Sequence, residues 1–152
     1  MNPTLRILVA DDEPTILILL KKILTTEGYE VTIASNGDEA LHLSRTQWFD
    51  LFLIDLIMPG RDGIETILTL RSFRKNAPVI AMSGGWHDGS RSCLELAGKL
   101  GACSTLAKPF DRNSLIAAIE SIMEAVPRKS KNEFVNNSNG VTAFKELATC
   151  AF

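Results

Sequence analysis

The sequence predicts an α/β fold, a doubly wound parallel sheet of five strands with helices on both faces, and three features predict it. Leu51-Phe-Leu-Ile-Asp55 is an apolar run ended by a carboxylate and closed by Met58-Pro-Gly60. That is the pattern of a strand buried on both faces at the centre of a parallel sheet. Strand-length runs alternate with helical patterns five times, which calls for right-handed crossovers. Finally, Asp11, Asp12, Asp55, Ser83 and Lys108 stand at the carboxyl ends of strands one, three, four and five. Doubly wound sheets present ligands at that edge. A lone aspartate after a strand is more often a loop cap, but here several segments bring matching chemistry to one edge.

The first strand, Arg6-Ile-Leu-Val-Ala10, runs into Asp11, Asp12 and Glu13, and Pro14 suits a first helical turn. Ile16, Leu19, Leu20, Ile23 and Leu24 follow at helical spacing until Gly28. The acids would serve as an N-cap, yet one carboxylate suffices for that, and adjacent acids repel unless a cation screens them. A metal site is the better reading. Glu30-Val-Thr-Ile-Ala34 is the second strand, and Asn36-Gly-Asp-Glu39 opens a helix carrying Ala40, Leu41 and Leu43 inward. His42 reads as a surface side chain. Nothing chemical ends the second strand, as befits an edge.

After the third strand, Asp62-Gly-Ile-Glu65 is an acid-capped helix start, followed by Ile67, Leu68 and Arg71. Asn76-Ala-Pro78 breaks the chain before Val79-Ile-Ala-Met82, which ends in Ser83-Gly-Gly85. A polar loop, Trp86 to Ser90, precedes a helix with Leu94, Ala97 and Leu100. The fifth strand is short, Thr105-Leu-Ala107, and gives way to Lys108-Pro109-Phe110. A last helix from about Asp111 carries Leu115, Ile119, Ile122 and Val126 on one face until Pro127. Loaded ends on strands one, three, four and five, with strand two bare, fit a flavodoxin-like order, 2-1-3-4-5.

At 152 residues one domain is expected, and 45% hydrophobic with 22% charged residues is an ordinary globular composition. A net charge of -2 gives no general reason to bind nucleic acid. No apolar run is long enough to span a bilayer, so no membrane insertion is expected. The N-terminus lacks the features of a signal peptide, and a cytoplasmic location follows as an expectation. Cys93, Cys103 and Cys150 have no metal-ligand spacing and read as reduced thiols, and the Asn136-Asn-Ser138 sequon carries little weight there.

Three carboxylates, a hydroxyl and a lysine form a specific chemical set. Carboxylates are hard ligands for Mg²⁺, which takes few protein ligands and keeps several waters. The ion and the Lys108 ammonium together suit a phosphoryl group, and a hydroxyl can bond one of its oxygens. Asp55 is then placed as a nucleophile for phosphorus, and a carboxylate needs no general base.

With these residues in place, the chain resembles the receiver domain of bacterial two-component response regulators. The resemblance rests on Asp11-Asp12, Asp55 with Met58-Pro-Gly60, Asp62-Gly63, Ser83-Gly84 and Lys108-Pro109-Phe110, and it covers about Leu5 to Val126. It implies that Asp55 is the phosphoacceptor, served by a sensor histidine kinase or a histidine phosphotransfer protein. It implies Mg²⁺ held by Asp12, Asp55 and the backbone carbonyl of Ile57, with Asp11 acting through water. Ser83 and Lys108 would bind the phosphoryl group, and the Lys108-Pro109 bond would be cis. Such a protein is no enzyme toward a second substrate; it promotes only its own aspartyl phosphorylation and dephosphorylation.

Two departures from the family pattern stand out. Thr105 occupies a position that usually holds a Tyr or Phe, so activation would be read mainly through Ser83 and the fourth-helix face. The glycine-bearing loop after Ser83 looks longer than in most relatives, as a lid, a kinase contact or tolerated slack.

Residues 1–126 are expected to form the receiver, and 127–152 a polar tail with no separate output domain. Pro127-Arg-Lys-Ser-Lys131 and Asn136-Asn-Ser-Asn-Gly140 are linker-like, while Val141, Phe144 and Leu147 would suit one short helix. The expected role is that of a single-domain regulator, signalling to a downstream protein by contact or by phosphorelay. A dehalogenase-like phosphatase wants Asp-x-Asp after the first strand, which Asp11-Asp12-Glu13 does not supply. A receiver serving only as a binding module conflicts with the full set of site residues. Neither a Rossmann nor a P-loop glycine pattern is present.

Overall fold

The computed structural model describes residues 4–84 and 90–126, with the backbone alone over 90–94. The strands are β1 (Arg6–Ala10), β2 (Glu30–Ala34), β3 (Leu51–Asp55), β4 (Val79–Gly84) and β5 (Ser104–Lys108). They alternate with α1 (Pro14–Thr26), α2 (Gly37–Thr46), α3 (Gly63–Phe73), α4 (Ser90–Lys99) and α5 (Arg112–Ala125). All neighbouring strands pair in parallel, in the order β2-β1-β3-β4-β5. This is the doubly wound flavodoxin-like topology expected from the strand ends.

Alternation along the strands divides the core in two. Ile7, Val9, Leu51, Leu53, Ile80 and Met82 pack against Leu17, Leu20 and Leu24 of α1 and Leu115, Ile119 and Ile122 of α5. On the other face Leu8, Ala10, Phe52, Ile54, Val79 and Ala81 meet Ala40 and Leu41 of α2, Ile67 and Leu70 of α3, and Ala97 of α4. Every residue of β3 is buried, as its unbroken apolar run requires.

Helix starts follow the acids and amides of the sequence. Asn36 accepts from Glu39 N at 2.8 Å, Asp62 from Glu65 N at 2.8 Å, and Asp111 from Ser114 N at 2.7 Å. The start of α1 differs: Glu13 makes no side-chain cap, and Asp11 accepts from Glu13 N at 2.9 Å instead.

The structure corrects several details, beginning with β4, which runs on through Ser83 to Gly84 rather than ending at Met82. Strand β5 is longer than Thr105–Ala107, because its ladder with β4 runs on to the pair of Gly84 and Lys108, which puts the lysine in the strand. Leu19, counted with the apolar face of its helix, is 51% exposed, and Leu68 on α3 is 47% exposed. On α1 and α3 the buried residues are Leu17, Leu20, Leu24 and Gly63, Thr66, Ile67, Leu70, and the two leucines project beyond those stripes.

Candidate functional site

Strands β1 and β3 lie side by side with Ala10 opposite Ile54, so the next residues, Asp11 and Asp55, meet at the carboxyl edge of the sheet. Both are buried, while Asp12 is exposed. One carboxylate oxygen from each of Asp11, Asp12 and Asp55 lies within 4.8 Å of the others, a cluster able to hold a metal ion. Lys108 reaches it from the end of β5, with Nζ 2.5 Å from Asp11 Oδ2 and 3.5 Å from Asp55 Oδ2. Its peptide bond to Pro109 is cis, as expected.

One ammonium against three carboxylates leaves this edge short of positive charge. Burial first, then the charge of Asp11, pushes the Asp55 carboxyl up to about 6, although Lys108 and the Ile57 N–H oppose the shift. For Lys108, burial alone would lower the pKa. Its hydrogen bond to Asp11 and the charges of Asp55 and Asp11 outweigh that, and the net direction is upward. A divalent cation would supply the missing charge, and hard carboxylate oxygens suit Mg²⁺.

The segment from Asp55 to Gly63 is held at both ends. Leu56 N donates to Met82 O at 2.8 Å, and Gly63 N donates to Leu56 O at 3.0 Å. Ile57, the expected carbonyl ligand, lies between these ties, and its N–H donates to Asp55 Oδ1 at 3.4 Å. A Cβ on Gly63 would stand 2.1 Å from Asp55 O and 2.5 Å from Leu56 Cα, so only glycine lets α3 start this close to the acid. The sequence showed Asp62-Gly63 as a helix start; the steric demand arises from the end of β3 and has no local signal.

Ser83 lies beside this cluster on β4, one residue before the pair of Gly84 and Lys108. Its side chain is buried, and its Oγ has no hydrogen-bond partner among the described residues. Unsatisfied buried hydroxyls are uncommon because each loses its bonds to water without replacement. A ligand oxygen at this edge would restore one. The five residues singled out at the strand ends therefore converge on one edge. His42 is exposed on α2, as expected. The glycine-bearing loop, residues 85–89, and the tail, 127–152, lie outside the described residues, as do Cys93's side chain and Cys150.

A family model described as the response regulator receiver domain matches residues 7–120. The chain belongs to that family. This receiver is 36% identical over 135 residues to the transcriptional regulatory protein CpxR of Escherichia coli, covering 89% of this chain and 55% of that protein. It therefore spans about half the length of such curated relatives. It is 34% identical over 118 residues to sporulation initiation phosphotransferase F of Bacillus subtilis, covering 78% of this chain and 93% of that protein. Among solved structures, the response regulator TrrA of Thermotoga maritima in complex with Mg²⁺ and BeF shares 35% identity with a TM-score of 0.70, over 78% of this chain and 99% of that one. The receiver domain of Francisella response regulator 1452 gives 32% and 0.71, over 80% and 98%.

Membership fixes a general role in two-component signalling. The exposed Thr105 shares a sheet face with Ala81 and Ser83. Among the described residues no helix is long and apolar enough to cross a membrane.

Proposed function

We propose that this receiver accepts a phosphoryl group on Asp55 from a sensor histidine kinase or a histidine phosphotransfer protein, with Mg²⁺, in the cytoplasm. The phosphorylated form then acts on a downstream protein by contact, or passes the phosphate onward. The observation that carries the reading is the convergence of Asp11, Asp12 and Lys108 on the buried carboxylate of Asp55, beside the Ser83 hydroxyl, which has no hydrogen-bond partner among the described residues.

In the reaction an Asp55 oxygen forms a bond to phosphorus as the bond from phosphorus to the donor's imidazole nitrogen breaks. With its carboxyl at about 6, Asp55 is mostly ionised at neutral pH and attacks without a general base. Asp12, Asp55 and the Ile57 carbonyl would hold Mg²⁺ directly, and Asp11 through water. When bound, Mg²⁺ would neutralise charge on the phosphoryl oxygens. Lys108 Nζ stands close enough to Asp55 to pair with one of those oxygens, and Ser83 Oγ has a free hydrogen to donate to another. These groups also serve hydrolysis of the aspartyl phosphate, the only other reaction assigned to the chain.

Phosphoramidate with MgCl₂ should add one acid-labile phosphoryl group, seen by intact mass spectrometry. Neither Asp55→Asn nor wild type in EDTA should carry it. Equal phosphorylation of Asp55→Asn would overturn the assignment.

A further inference from the structure

We infer that Arg61, seated against the first turn of α2, is a positioning residue for the loop between β3 and α3 that presents Ile57 to the metal site. The inference rests on the function proposed above and concerns a residue outside the site chemistry.

Residues 56–62 form the span in question. Its start is tied by Leu56, whose N–H bonds Met82 O and whose carbonyl takes Gly63 N. Met58 is buried in the core on the α2 and α3 side. Between and beyond these anchors Ile57, Pro59 and Gly60 are exposed, and Gly60 has a φ of +76°. Gly63 N ties the far end to Leu56 O, but a span with so many exposed residues between those ties would still be free to shift the Ile57 carbonyl unless it were also held part-way.

Arg61 holds it. Its Nε donates to Asp38 Oδ1 at 2.7 Å, and one terminal nitrogen donates to Glu65 Oε1 at 2.9 Å and to Thr69 Oγ1 at 3.5 Å. Asp38 belongs to the first turn of α2 and Glu65 to the first turn of α3, so one guanidinium bridges two helices. The backbone is seated as closely. A Cβ on Gly37 would stand 2.9 Å from Arg61 O, 3.2 Å from Arg61 Cγ and 2.2 Å from Thr66 Oγ1. Gly37 thus lets α2 start directly against the loop backbone, and Arg61 ties its charges across the same seam.

Each ion pair is partly exposed and weak alone, and such pairs are screened by salt. Their geometry matters more than their energy. Fixed at Arg61, the loop offers the Ile57 carbonyl in place before the ion arrives; released, it must be ordered on binding, at the expense of affinity. Lys108 and Ser83 lie on β5 and β4 and, among the described residues, share no hydrogen bond or ion pair with Arg61 or Asp38, so their share of the site is untouched.

The test is an NMR titration of ¹⁵N-labelled full-length protein with MgCl₂, following the Ile57 amide, on wild type, Arg61→Ala, Arg61→Lys and the exchange Asp38→Arg with Arg61→Asp. Arg61→Ala should weaken Mg²⁺ binding by about three-fold or more, with partial recovery in Arg61→Lys and in the exchange. Thermal midpoints in EDTA should stay close to wild type, which separates positioning from general loss of structure. Unchanged affinity in Arg61→Ala would overturn the inference. So would an equal loss in all variants with lowered midpoints in EDTA. Absence of Mg²⁺ binding in wild type would instead overturn the proposed function, a distinguishable result.

Discussion

The two edges of the sheet handle buried polarity in opposite ways. At the carboxyl edge, Asp55 is held partly against ionisation, Lys108 is shared between two acids, and Ser83 Oγ has no hydrogen-bond partner among the described residues. At the amino edge most of the polar groups pair with one another. Asp50 accepts from Arg6 N at 2.7 Å and from Trp48 Nε1 at 3.1 Å, and Arg6 Nε pairs with Glu30 at 3.0 Å. Buried Arg74 donates to Gln47 O at 2.6 Å and lies over the rings of Trp48 at 5.0 Å and Phe52 at 5.8 Å. The contrast separates two uses of buried charge. The amino edge closes the fold, and the carboxyl edge keeps bonding capacity in reserve for a ligand.

That difference is broken most sharply at Asp12. It is the exposed member of the acid cluster and, among the described residues, has no hydrogen bond or ion pair that its loss would disturb. Asp12→Ala should leave stability within about 0.5 kcal/mol, yet lower phosphorylation by phosphoramidate and Mg²⁺ by about two orders of magnitude. Phosphate incorporation followed by mass spectrometry, beside a thermal melt, checks both halves.

Arg74 should behave in the reverse manner. Burial alone pushes its pKa down to about 10, so the guanidinium is held in place by the rings and the Gln47 carbonyl. Arg74→Ala removes a buried side chain and leaves that carbonyl without this donor, for a loss of about 2 kcal/mol in urea unfolding. Phosphorylation of the folded fraction should be unchanged. A neutral Arg74→Ala would mean the amino edge does not close the fold as described.

The same contrast shows what the sequence could and could not disclose. Strand order was legible because the bare end of β2 and the loaded ends of β1, β3, β4 and β5 distinguish edge from switch point. The converging residues were legible because each ends a strand, where topology alone decides its neighbours. Arg74 was not, since in Arg71-Ser-Phe-Arg-Lys75 it looks like one more solvated charge. Its burial depends on Trp48 and Phe52, which tertiary folding brings over it. Leu19 misled for a related reason: helical spacing says which residues share a face, but the sheet decides how wide a face is covered. Gly37 and Gly63 carried no local sign of the backbone that crowds them.

Asp55 gives a smaller, pH-dependent effect. Its folded pKa, about 6, lies above the ordinary carboxylate value of 3.8, so the folded chain holds this proton more tightly than the unfolded chain. Stability from this group is therefore greatest at low pH and declines as pH rises from about 4 through 6. Above pH 6 the ionised carboxylate disfavours the fold by about 1–3 kcal/mol. In EDTA at pH 7.5, Asp55→Asn should melt higher than wild type, and the gap should close as pH falls from 6 toward 4. A gap that widened on acidification would reverse the sign argued here.

Ser83→Ala should have the least effect on the fold. A buried hydroxyl that bonds a protein group contributes about 1 kcal/mol, and its removal leaves that partner exposed to the same penalty. Ser83 Oγ has no such partner among the described residues, so replacing it with hydrogen removes a buried polar atom and strands no hydrogen-bond partner there. The two effects, a lost atom's packing and a relieved desolvation, oppose each other, and the net change should stay within about 0.5 kcal/mol by urea unfolding. The hydroxyl matters only once phosphoryl oxygens seek donors, so Ser83→Ala should slow phosphoramidate-driven phosphorylation several-fold less than Asp12→Ala does, because one donor of the set is lost rather than the charge that gathers it. A destabilisation above about 1 kcal/mol would mean that Ser83 is bonded in solution, and the carboxyl edge would then be as closed as the amino one.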